Sequence, residues 1–71
     1  MTPEAIIYTL SELHRKEYNN NAILINMKAT ATINVCSVED IELKEEADLL
    51  VCQVENGTKG LYVHDIEYIS I

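Results

Sequence analysis

The stretch Ile23-Leu24-Ile25-Asn26-Met27-Lys28-Ala29-Thr30-Ala31-Thr32-Ile33-Asn34-Val35 decides the fold. Every odd-numbered position in it is apolar, and every even position except Leu24 is polar. Successive side chains of a strand point to opposite faces, so a period of two predicts β structure with one buried face. Neither Gly nor Pro interrupts the pattern. Kept straight, such a ribbon would reach roughly 40 Å, at about 3.3 Å per residue. A chain of 71 residues is too small to hold it. Either the ribbon bends sharply near the small residues Ala29 and Ala31, or it reaches past its own subunit to pair with another; the pattern alone fits one bent strand or two.

Upstream, residues 2–18 read as the one helix. Thr2 suits the cap, Pro3 the first helical position and Glu4 the positive end of the helix dipole. Ile6, Ile7, Leu10, Leu13 and His14 fall at helical spacing and predict one apolar stripe docked across a sheet face. Arg15 and Lys16 suit the last turn. The run Asn19-Asn20-Asn21 ends the helix, because Asn competes for backbone hydrogen bonds.

Downstream, Ser37 to Glu46 reads either as an acidic helical turn or as a strand around Ile41 and Leu43. The strand is preferred, since those two residues continue the alternation before a turn over Lys44 to Asp48. Leu49 to Val54 is a further strand, and Asn56-Gly57 signals a hairpin in a loop closed by Gly60. Leu61-Tyr62-Val63-His64 and Ile66 to Ile71 complete the chain as two short strands kinked at Asp65. The expected fold class is α+β: an N-terminal helix packed on a strongly bent antiparallel sheet or small β-barrel of about five strands. One domain covers residues 1–71, with its β-rich part over 22–71.

Composition narrows the function. Trp and Phe are absent, so Ile, Leu and Val must form the core, and the aromatic residues are Tyr8, Tyr18, Tyr62 and Tyr68. A chain this short buries only about 60% of its unfolded surface, which makes a homo-oligomeric interface the expected extra support. Twelve acidic residues against five basic give a net charge of -7. Affinity for nucleic acid or anionic lipid needs clustered Lys and Arg, and only Arg15-Lys16 are adjacent. A protein with a basic surface is the expected partner. With no leader-like start and no apolar run of membrane-spanning length, the expected location is the cytoplasm, without a membrane.

The candidate site is the acidic group Glu39, Asp40, Glu42, Glu45, Glu46 and Asp48, which has only Lys44 among it. Its spacing lacks the central Gly and alternating acids of a calcium loop. A solvated face is the plain reading; a surface for Lys and Arg of a partner is the functional one. Cys36 and Cys52 lack the close spacing of redox or metal pairs and are expected as reduced, core-packed residues of apolar strands. His14 reads as a rim residue of the helix, and His64 as a strand neighbour of Tyr62 on one face. Asn56-Gly57-Thr58 reads as a turn rather than a glycan acceptor. No nucleophile, metal set or phosphate loop assembles, so neither catalysis nor a cofactor is expected.

The helix-then-strands order and the local run Tyr62-Val63-His64-Asp65-Ile66 resemble the Sm-like fold of bacterial RNA chaperones of the Hfq type. The run matches the family's Tyr-Lys-His-x-Ile pattern at Tyr, His and Ile, with Val63 at the lysine and Met27-Lys28-Ala29 where an Asn-Gly turn belongs. The resemblance implies a ring built by strand pairing, with Tyr62 and His64 near a site for RNA or nucleotide. The leading expectation is instead a non-enzymatic acidic protein, homo-oligomeric, that binds or blocks a macromolecule. By analogy with small acidic proteins it would be a regulator or a phage-type inhibitor of a host system. A small-ligand sequestering protein with sites at subunit interfaces is the third reading.

Overall fold

The computed structural model describes residues 1–15, 22–29 and 31–71. Helix α1 spans Pro3–Arg15. The Thr2 hydroxyl accepts the Ala5 amide at 3.1 Å and the Thr2 carbonyl accepts the Ile6 amide at 3.1 Å. Thr2 is thus the predicted cap for donors that the first turn leaves without intrahelical partners. The expected extension to residue 18 and the Asn19-Asn20-Asn21 stop lie outside the described residues. Ile6 and Leu13 are buried, and Leu10 packs against the core. The expected stripe needs correcting at Ile7, which is 42% exposed, while His14, read as a rim residue, is exposed. Neighbouring helical positions diverge by about 100°, so when Ile6 points inward Ile7 points sideways.

The opening ribbon is two strands, β1 (Ile23–Met27) and β2 (Thr32–Val35). They pair antiparallel with Ile23 opposite Val35 and Ile25 opposite Ile33. This register sets odd positions against odd positions, so the alternation survives the reversal and one apolar face spans both strands. The Met27 amide donates to the Ala31 carbonyl at 2.9 Å as the chain turns back. A straight ribbon is excluded by size, since the longest axis of the molecule is 27 Å.

Beyond β2 the chain makes a 3-10 turn at Val38–Asp40, capped by the Ser37 hydroxyl, which accepts the Glu39 amide at 3.2 Å. Strand β3 (Ile41–Lys44) follows, then a second 3-10 turn at Glu45–Ala47. The region left open by its composition therefore holds short helical turns on both sides of the preferred strand. Strands β4 (Leu49–Val54) and β5 (Gly57–Tyr62) form the expected hairpin. Its turn lies one residue early, at Glu55 and Asn56, with Val54 opposite Gly57. Gly57 takes φ 134°, a backbone setting that side chains disfavour. Gly60 does not close a loop. It lies within β5 opposite Val51, where an added Cβ would touch the Leu49 side chain at 3.4 Å.

A third 3-10 turn, Val63–Asp65, leads into β6 (Ile66–Ser70). Residues 63 and 64 thus leave the strand expected for them. The six strands form two antiparallel three-stranded sheets, ordered β2-β1-β6 and β3-β4-β5, and neither closes into a barrel. With one α-helix and these sheets among the described residues, the fold is α+β, as the sequence predicts.

One aliphatic core joins the parts. Ile23, Ile25, Val35 and Ile66 come from the first sheet, and Ile41, Leu50 and Cys52 from the second. Val38 and Val63 enter from the 3-10 turns, while Ile6 and Leu13 enter from α1. No polar or charged side chain is buried among the described residues, and Tyr8, Tyr62 and Tyr68 all stay exposed. Replacing Ile25 or Leu50 with Ala is expected to cost about 2–5 kcal/mol in urea unfolding. Tyr68→Ala should stay within about 1 kcal/mol. Equal losses for all three would contradict this core.

Candidate functional site

Strand β3 organises the acidic residues. Among the described residues it is an edge of its sheet, paired with β4 alone. Strand alternation turns Ile41 and Leu43 toward the interior and leaves Glu42 and Lys44 exposed. Lys44 Nζ lies 2.9 Å from Glu42, so the one cation within the acidic group is already engaged. Glu45 and Glu46 are exposed in the turn after β3, and Glu39 is exposed in the turn before it, with Asp40 half-buried beside it. The expected acidic surface is therefore divided between the two ends of a short edge strand.

Asp48 belongs to a different constellation. It occupies a left-handed conformation, φ 53° and ψ 42°, at the end of the Glu45–Ala47 turn. Its carbonyl accepts the Val63 amide at 2.9 Å, and its carboxylate lies 2.9 Å from His64 Nδ1. An ionised carboxylate only accepts, so His64 carries the proton on Nδ1 in this contact. His64 Nε2 lies 3.6 Å from Asp65 on the other side. The His64 ring stacks on Tyr62 with centroids 5.5 Å apart and planes 23° from parallel. Tyr62 and His64 were expected as same-face neighbours of one strand. They meet instead because the 3-10 turn folds His64 back over the end of β5. Asp48 and His64, read separately in the sequence, form one exposed cluster, and Asp65 joins it.

The cysteines diverge. Cys52 is buried in the core, where burial pushes its thiol from an ordinary 9.0 up to about 11. Cys36 corrects the expectation of a core position: it is exposed, just past the end of β2. Both are free thiols. Among the described residues, no group of three or more His, Cys, Asp or Glu is arranged to hold a metal ion. Among the same residues, no helix is long and apolar enough to cross a membrane.

Two grooves flank α1. One runs between α1 and β6, lined by Tyr8, Leu13, Ile69 and Ile71. The other, of about 560 Å³, lies between α1 and the segment after β3, lined by Ile7, Leu43, Lys44, Glu45, Glu46 and Ala47. Sequence reasoning missed Ile7 and Ala47 as surface residues. Helical spacing puts Ile7 in the stripe, and the signal against it is its neighbour Ile6, which competes for the same inward position. No family model, curated protein or solved structure matches the chain.

Two outcomes check this geometry. Asp48→Ala should lose about 1 kcal/mol, because Ala tolerates the left-handed conformation poorly. Asp48→Gly, which relieves the backbone while deleting the same carboxylate, should unfold nearer the wild type; the reverse order would place the value of Asp48 in its side chain. Cys36 should react with iodoacetamide in the folded protein while Cys52 reacts only on unfolding. Because the folded state holds the Cys52 proton more tightly, its contribution to stability is complete below pH 9 and declines toward pH 11. Cys52→Val should reduce that alkaline decline relative to the wild type; an unchanged slope would contradict the assignment.

Proposed function

We propose that this chain is a non-enzymatic, homo-oligomeric interaction protein that binds or blocks a basic macromolecular partner through the acidic surface around β3. The observation that carries the reading is the arrangement of Glu39, Glu45 and Glu46: all exposed, and without an ion pair among the described residues. In a core of aliphatic side chains and Cys52 these carboxylates serve no packing role. Spaced negative charge at a surface raises the encounter rate with a positively charged partner and selects against acidic ones. Self-association is supported by the outer edges of β5 and β6, which pair with no further strand among the described residues, and by the exposed side chains of Tyr8, Tyr68 and Ile71.

A second reading, a ring resembling the Sm-like family that binds RNA or nucleotide, is favoured by the exposed stack of Tyr62 on His64, since aromatic faces are platforms for bases. Asp48 and Asp65 on either side of His64 weigh against it, because they put negative charge where a phosphate would lie.

The test is affinity capture with the full chain at low and high salt, using the wild type and the triple variant Glu42→Lys, Glu45→Lys, Glu46→Lys. The wild type should retain a stoichiometric basic partner at low salt, and high salt or the triple variant should reduce it at least ~10-fold. The same partners on both proteins, at either salt, would contradict the proposal.

A further inference from the structure

We infer that the groove between α1 and the segment after β3 receives a basic amphipathic helix of a partner protein, an inference that rests on the acidic-surface reading and narrows it. Half of the residues lining the groove are apolar. Ile7 is 42% exposed, Leu43 is half-buried and Ala47 is exposed, and all three line the same depression. Its lining also carries acids. Glu45 and Glu46 line the depression without an ion pair among the described residues, while Lys44 is held by Glu42 at 2.9 Å. The groove therefore offers apolar contact beside two uncompensated negative charges.

That pairing defines the occupant. A wholly basic flexible segment would meet Glu45 and Glu46 and leave Ile7 in water. A wholly apolar one would strip water from two carboxylates without supplying partners, which is costly. A helix with aliphatic residues along one side and Lys or Arg flanking them satisfies both parts, in the helix-in-groove mode of recognition. Addition of an extended strand at the free edge of β3 fits less well, because β3 has only four residues, Ile41–Lys44, and short edge strands resist pairing. The volume of about 560 Å³ suits the anchor side chains of a helix rather than its whole girth. The groove beside β6 lacks this charge signature: its one acid, Glu12, is paired with Arg15 at 2.9 Å.

The probe is a labelled helical peptide of leucine and lysine, with leucines at helical spacing. Its control has the same lysines and serine at each leucine. Anisotropy gives the affinities for the full chain, and amide chemical shifts locate the contact. The leucine peptide should bind at least ~10-fold more tightly than the control, with shifts at Ile7, Leu43 and Ala47. Ile7→Gln, a surface change in α1, should erase that advantage while leaving the control unaffected. Glu45→Gln with Glu46→Gln should weaken both peptides. Equal binding of both, with shifts spread over residues 39–46, overturns the groove and leaves the acidic-surface reading standing. Binding of neither removes both. Self-association of the peptide-free protein that Ile7→Gln abolishes assigns the groove to a second copy and also overturns the inference.

Discussion

Everything in this structure depends on two small sheets sharing one aliphatic core. Neither three-stranded sheet has enough inward positions to stand alone, and a sheet with a single apolar face is stable only against another layer. Ile23, Ile25, Val35 and Ile66 supply that face from one side, and Ile41, Leu50 and Cys52 from the other. Ile6 and Leu13 of α1 complete the same cluster. Because the core holds no buried polar side chain among the described residues, their carboxylates all lie outside it. Packing thus determines where any electrostatic recognition can occur.

The turns between strands convert that core into distinct surface features. Asp48 joins the segment after β3 to the segment before β6 through both its carbonyl and its carboxylate. The Lys28 amide, which donates to the Asp65 carbonyl at 2.8 Å, ties the β1–β2 turn to the same region. Consequently the Tyr62–His64 stack is a product of three chain segments rather than of one strand. The turn that Asp48 ends also leaves Glu45, Glu46 and Ala47 beside Ile7. A rigid anchor at Asp48 and an accessible groove next to it are two results of one turn.

Much of the fold was legible in the residues. Thr2-Pro3-Glu4 marks the helix start, and the odd-position apolar pattern marks the buried face of β1 and β2. The alternation alone could not show where the ribbon divides, because an even register leaves the pattern unbroken through the turn. Short 3-10 turns were also hidden: Val38 and Val63 look like strand residues by hydropathy, and tertiary packing decides their conformation. The site was less legible. Glu39 to Asp48 read as one acidic run, yet Asp48 turns away to His64, and the groove depends on Ile7, a residue remote in sequence. Side-chain direction at Ile6 and Ile7 required knowing the axis along which α1 lies.

Native-state hydrogen exchange read amide by amide tests the shared core most directly. The central strands of the two sheets, β1 and β4, should exchange only through global unfolding, with Ile25 and Cys52 amides reporting the same free energy. Distinct opening energies for β1 and β4, with one sheet exchanging while the other stays protected, would contradict a single core.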